Sequence, residues 1–190
     1  MYLFFDVETS GLPLNYKAPV TDTSNWPRVV QLAYQLYDEQ GVLLQETNRI
    51  VKPEGFIIPK EATAIHGITH EEALEKGLLL LDVIEEFLSY AQDAKLFIAH
   101  NADFDSKVLD AELLRNQYEP LLTTSCDCLC TMKSTTAVCK LPSPYGYKWP
   151  RLEELHEFLF KKSFQGAHNA LVDVQITAKC FFELRKRKYL

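Results

Sequence analysis

The stretch YLFFDVETSGLP, residues 2–13, constrains the fold more than any other part of the chain. Tyr2, Leu3, Phe4, Phe5 and Val7 offer apolar side chains to both faces of a strand, which suits a strand covered by layers on both sides. Yet the strand ends on two carboxylates, Asp6 and Glu8. Side chains two apart on a strand project to the same face, so these two stand together. Two like charges about 4 Å apart repel by about 4 kcal/mol at an effective dielectric near 20. A divalent cation between them reverses the sign of that interaction, and hard oxygen ligands favour Mg²⁺ or Mn²⁺. The simpler alternative is that one carboxylate caps the next loop while the other reaches solvent.

The rest of the chain supplies the layers. Residues 28–38 and 41–51 flank EQG and predict an antiparallel hairpin. A proline-bounded loop follows from Pro53 to Pro59, and Thr69-x-x-Glu72 is a capping-box pattern that opens a short helix. Val83, Ile84, Phe87 and Leu88 repeat at helical spacing within 82–93. AKLFIAHN predicts a strand that ends at His100 and Asn101, and DFDSKVLDAELLRNQ predicts a helix with Phe104, Val108, Leu109 and Leu113 inward. Residues 121–142 read as a strand and then a short helix, and YGYKWP as a loop. RLEELHEFLF is an amphipathic helix, and a final helix carries Leu171, Val174, Ala178, Phe181 and Phe182. Three strands followed by alternating helix and strand predict an α/β fold whose mixed sheet has an antiparallel hairpin on one side. No linker or repeat divides the chain, so residues 1–190 are expected to form a single domain.

Charge and cysteines narrow the function. A formal net charge of −6 argues against coating nucleic acid by charge alone. The basic run Arg185, Lys186, Arg187, Lys188 reads as a solvated helix end, with cations near the last carbonyls. No apolar run is long enough to cross a bilayer, and the N-terminus carries no signal peptide, so a cytoplasmic setting is the default. The five cysteines are expected to be reduced thiols. Cys126, Cys128 and Cys130, followed by Cys139, match zinc spacing poorly and read as half-buried packing.

Two further acidic segments complete the pattern. In IAHNADFDSKVL a helix starts near Asp103, and Asp103 and Asp105 both suit its first turn. In GAHNALVDVQIT, Asp173 sits in a helix and His168 precedes it by five residues. Taken singly, a helix-start acid, a solvent-facing Asp and a loop His explain them. Together FDVETSGL, HNADFD and HNALVD resemble the three motifs of the DnaQ-like 3′–5′ exonuclease superfamily, in that order. EATAIHGIT and RLEELHEFLF resemble segments that accompany those motifs. With His168 five residues before Asp173, the chain is similar to the histidine branch, called DEDDh, a group that includes the proofreading epsilon subunit of bacterial DNA polymerase III and ribonuclease T.

That resemblance implies a ribonuclease H-like fold, a five-stranded mixed sheet flanked by helices. It implies Asp6, Glu8, Asp105 and Asp173 as acids that hold two divalent cations, Mg²⁺ or Mn²⁺, with His168 as general base. An imidazole's ordinary pKa of about 6.5 suits proton transfer near neutral pH. Four carboxylates carry −4 and two such ions bring +4, and setting the four acids aside takes the formal charge from −6 to −2. Substrate-holding positions implied by the resemblance are Thr9 through its backbone, Leu12 as a wedge between bases, and Glu61, His66, Asn101 and Phe104; Phe104 reads equally well as core. The expected reaction is hydrolysis at 3′ ends of single-stranded or frayed nucleic acid, DNA favoured over RNA, with release of nucleoside 5′-monophosphates. A polymerase is a candidate partner. The competing expectations are a catalytically idle module of the same fold that docks a polymerase or other protein, and an exonuclease directed at RNA or short oligonucleotides. No exposed apolar stripe demands an oligomer.

Overall fold

A computed structural model describes residues 1–190. In chain order its elements are β1 (Tyr2–Thr9), β2 (Val29–Tyr37), β3 (Leu43–Ile50), α1 (Lys60–His66), α2 (His70–Lys76), α3 (Leu80–Ala91), β4 (Leu96–Ala99), α4 (Ala102–Arg115), β5 (Cys128–Cys130), α5 (Thr131–Ser134), α6 (Thr136–Cys139), β6 (Pro142–Ser143), β7 (Gly146–Tyr147), α7 (Leu152–Phe160) and α8 (Ala170–Lys186). The main sheet has five strands in the order β3-β2-β1-β4-β5. The β1–β2 and β2–β3 pairs are antiparallel, and β1–β4 and β4–β5 are parallel. This is the mixed α/β sheet predicted from the sequence. No helix is long and apolar enough to cross a membrane.

Strand β1 lies at the centre, and its alternation feeds two cores. Leu3, Phe5 and Val7 pack into the cluster shared with α3 and α4, including Phe87, Val108 and Leu109. Phe4 points the other way, to Ala170, Val174, Ala178 and Phe181 of α8. Burying a Phe or Leu side chain contributes roughly 1.5–3 kcal/mol, so β1 is held from both faces. Period two then puts Asp6 and Glu8 on Phe4's side, the side covered by α8. The far flank of α8 is also covered, by Leu155 and Leu159 of α7 with Cys139.

Three details depart from the sequence reading. Residues 60–66 form the helix α1, which ends at Gly67 in the left-handed conformation, φ 80°. The segment read as the loop YGYKWP begins with a tiny hairpin, β6–β7, whose two-residue arms are too short for periodicity to register. Helix α4, read from the sequence as turning Phe104, Val108, Leu109 and Leu113 inward, is buried nearly all round and carries three buried acids, Asp105, Asp110 and Glu112. Loops wrap α4, and their amides need acceptors. Asp110 Oδ1 accepts from the Leu121 and Leu122 amides at 2.9 Å each, and its Oδ2 accepts from the Thr123 amide at 2.7 Å. Glu112 Oε1 accepts from Arg28 Nε at 2.8 Å and the Val29 amide at 3.0 Å, and Arg115 Nη1 lies 3.1 Å from Oε2.

Of the cysteines, Cys126 and Cys130 pack half-buried against the main core, Cys128 is exposed, and Cys139 and Cys180 are buried in the α7–α8 cluster. The basic end of α8 is partly tethered: Arg185 Nη1 donates to Tyr2 Oη at 2.5 Å, and Arg187 Nη2 donates to the Leu159 carbonyl at 2.7 Å.

Candidate active site

The C-terminal end of β1 opens into a cleft of about 840 Å³. Asp6 and Glu8 enter it from β1, and Asp173 enters from the first turn of α8. Ligand-capable atoms of these three carboxylates all lie within 4.8 Å of one another. Their closeness follows from the fold. Gln31 stands opposite Glu8 in the β1–β2 register and is buried. Its Oε1 accepts from the Ala170 amide at 3.1 Å, and its Nε2 donates to Asn48 Oδ1 at 2.9 Å. Gln31 thereby fixes the start of α8, three residues before Asp173, against the strand that carries Asp6 and Glu8.

Asp105 arrives from α4 on the opposite side. Beyond Phe4 the parallel partner β4 no longer accompanies β1, and the Val7 amide donates instead to Asp105 Oδ1 at 3.2 Å. This separates the two acids that compete in the sequence for the helix start. Asp105 is buried at the cleft, whereas Asp103 is exposed and pairs with Lys133. Asp105 stands just outside the three-carboxylate cluster.

The electrostatics are those of an acid cluster that needs a counter-charge. Burial, then the neighbouring Asp173 and Asp105, push Glu8 up to about 8. Burial pushes Asp105 up to about 7 against the Val7 amide, and Asp173 up to about 6 against the His168 amide. Asp6 is raised well above the usual carboxylate range by burial, then by Asp105, Asp173 and Glu8. Four crowded carboxyls whose ionisation is opposed by each other and by burial suit a hard divalent cation, which turns that repulsion into attraction. The donor set fits such ions.

His168 lies on the loop before α8, exposed and with positive φ, 65°. That backbone turn aims its amide at Asp173 Oδ2, 2.9 Å away. The next residue, Asn169, caps α8 through its side chain.

The remaining sequence-derived positions line the same cleft: Thr9, Leu12, Glu61, His66, Asn101 and Phe104. The Thr9 hydroxyl is occupied, donating to the Gly11 carbonyl at 2.6 Å, which leaves the role given to its backbone. Leu12 is 71% exposed at the rim. His66 is buried; its Nδ1 accepts the Ile68 amide at 3.1 Å, so Nε2 carries the proton and faces the Thr9 backbone. Asn101 takes the left-handed conformation, φ 76°, at the start of α4. Phe104 is half core and half wall, packed against the main cluster and 6.5 Å from the Tyr16 ring.

Several residues that build the site are not singled out as functional in the sequence reading. Gln31 looks like any strand residue, because its role depends on register. His100 bridges Thr131 Oγ1 and the Pro150 carbonyl at 3.0 Å each, which ties the segment before α7 to β4. Burial lowers its pKa to about 4. Trp149, Arg151 and Glu153 also line the cleft. The concentration of aromatics in YGYKW was the available signal for Trp149.

A five-stranded mixed sheet flanked by helices, with an acid cluster at the end of its central strand, is an α/β protein of ribonuclease H-like architecture. The RNase_T exonuclease family matches residues 3–181, and the chain belongs to that family. The DNA polymerase III subunit epsilon of Salmonella typhimurium is 32% identical over 136 residues, covering 70% of this chain and 52% of that protein. The uncharacterized exonuclease CP81 of Escherichia phage 186 is 29% identical over 191 residues, covering 92% of this chain and 83% of that one. E. coli exonuclease I, solved with single-stranded DNA, superposes with a TM-score of 0.79 at 22% identity, over 98% of this chain and 41% of that one. The chain thus spans about half the length of the epsilon relative it matches.

Proposed function

We propose that residues 1–190 form a single 3′–5′ exonuclease domain that hydrolyses phosphodiester bonds at the 3′ end of single-stranded or frayed nucleic acid and releases nucleoside 5′-monophosphates. The observation that carries this reading is the convergence of Asp6, Glu8 and Asp173, with ligand atoms within 4.8 Å of one another in an open cleft. Asp6, Glu8 and Asp173 hold two divalent cations, Mg²⁺ or Mn²⁺, with Asp105 supporting the second. When bound, such ions polarise the phosphoryl oxygen and offset charge on the attacking and leaving oxygens.

The protein's own groups do the rest. His168 takes the proton from the attacking water and passes it to solvent, a role suited to an exposed imidazole on a loop. Its amide bond to Asp173 keeps the base beside the acids. The buried His66 and the Glu61 carboxylate contact the terminal nucleotide, with Asn101 lining the same cleft. The Thr9 backbone meets that nucleotide, and Leu12 and Phe104 contact bases. DNA is favoured because relatives 32% identical to this chain are named as DNA polymerase III subunit epsilon, and the same name supports a polymerase as partner.

The test is digestion of matched 5′-labelled DNA and RNA strands, single and double stranded, with Mg²⁺ or Mn²⁺. The expected result is a stepwise ladder from the 3′ end, fastest on single-stranded DNA and stopped by EDTA. Intact ends on every substrate would overturn the reading.

A further inference from the structure

Residues 140–151, KLPSPYGYKWPR, stand apart from the rest of the surface. Only five aromatic side chains in the molecule are exposed, and three of them, Tyr145, Tyr147 and Trp149, fall within five residues here. Their exposures are 101%, 54% and 60%. Packing does not explain them, since none joins a hydrophobic cluster. The segment also carries Lys140, Lys148 and Arg151 and no acid, in a chain of net charge −6.

The segment is anchored at its base and free at its tip. Strands β6 and β7 pair through Pro142–Tyr147 and Ser143–Gly146, so Tyr145 sits in the turn. The Lys148 amide donates to the Leu141 carbonyl at 2.9 Å. Glu154 of α7 accepts from Lys148 Nζ at 2.5 Å and from the Arg151 amide at 2.8 Å. The His100 ring holds the Pro150 carbonyl. Lys148 thus turns toward α7, while its neighbours Tyr147 and Trp149 stay exposed. At the foot of the hairpin, Trp149 and Arg151 are part of the wall of the cleft that holds Asp6 and Asp173.

We infer that this hairpin is a stacking rail for the single strand upstream of the 3′ end. Bases leaving the cleft stack on Trp149 and then on Tyr147 and Tyr145, with Lys140, the cation of the segment that is not paired with Glu154, facing the backbone. Aromatic faces accept any base, so the contact is independent of sequence, and a pre-anchored hairpin loses little freedom on binding. The inference rests on the exonuclease reading for the direction of the strand, and names what grips the strand beyond the terminal nucleotide.

The double variant Tyr145→Ala/Tyr147→Ala tests it, because neither residue lines the cleft. Binding of labelled dT20 and dA20 is measured by anisotropy in EDTA, and hydrolysis of dT20 and of the p-nitrophenyl ester of thymidine 5′-monophosphate is measured in Mn²⁺. The variant is expected to bind both 20-mers about 30-fold more weakly or worse, in line with the loss of two base–aromatic stacks. It is expected to hydrolyse the small ester within twofold of wild type, with an unchanged melting temperature. Trp149 is the one exposed tryptophan of the two, so its fluorescence should be quenched by the 20-mer in wild type. Equal binding and digestion of 20-mers by variant and wild type overturns the rail and leaves the exonuclease reading standing. A wild type that cleaves neither substrate, yet binds 20-mers through the two tyrosines, overturns the exonuclease reading and leaves the rail standing.

Discussion

The amide of His168 donates to Asp173 Oδ2 across 2.9 Å, so the proposed base, on the loop before α8, is tied to one of the proposed cation ligands five residues on, in the first turn of that helix. The positive φ of His168 makes this bond possible and leaves the imidazole exposed. On the proposed mechanism, proton transfer and cation binding are mechanically linked, while remaining separable by substitution of the ring alone.

Replacing His168 with Ala removes the ring but keeps the amide bond. Hydrolysis is expected to slow by roughly 10²–10⁴-fold, the usual contribution of a general base. KM and Mn²⁺ affinity should stay within a few-fold of wild type, which steady-state kinetics and metal titration check. An equal loss in affinity would assign His168 to binding.

The raised carboxyls predict a pH-dependent stability in the cation-free protein. Glu8 titrates near 8 when folded against an ordinary 4.5, so the folded state holds the extra proton between those values. The stability this group contributes is fully present below the ordinary value and is lost as pH rises through about 8. Asp173, at about 6, and Asp105, at about 7, act in the same direction over lower windows. In EDTA, melting temperature should therefore fall between pH 5 and pH 8.5, and added Mn²⁺ should raise it more at pH 8 than at pH 5.5. Glu8→Gln in EDTA at pH 8 should melt about 2–4 °C higher, the shift that roughly 1 kcal/mol produces in a domain of this size. Calorimetric scans check both.

Gln31 is a positioning residue, because it holds the Ala170 amide opposite Glu8. Gln31→Ala is expected to weaken Mn²⁺ binding by about 10–100-fold, as loss of a partner behind the ligands does. The readout is a Mn²⁺ titration, which a purely structural role would leave unchanged once folding is confirmed by circular dichroism.

Asp110 tests the fold independently of the site. Asp110→Ala strands the Leu121, Leu122 and Thr123 amides and should cost on the order of 3 kcal/mol in urea unfolding. A loss under 1 kcal/mol would mean that water satisfies that loop.

Patterns along one element were the legible part of this protein. Alternation in β1 placed Asp6 and Glu8 on one face, helical spacing located α3, α4 and α8, and order alone gave the mixed sheet. Features set by contact between distant segments were not legible. Gln31 matters only through its register with Glu8, and Asp110 and Glu112 only because loops wrap α4. The β6–β7 hairpin escaped notice because two-residue arms carry no period. The helix-start pattern alone did not separate Asp105 from Asp103; the family resemblance chose Asp105, and the bond from the Val7 amide supplies the physical reason.

The central claim is that acids from β1, α4 and α8 form one site for paired divalent ions. Titration of the purified protein with Mn²⁺, counted by electron paramagnetic resonance in the presence of thymidine 5′-monophosphate, tests it most directly. Two bound ions in wild type, with their loss in Asp6→Asn, is the predicted result. No specific ion in wild type, or unchanged binding in Asp6→Asn, would contradict it.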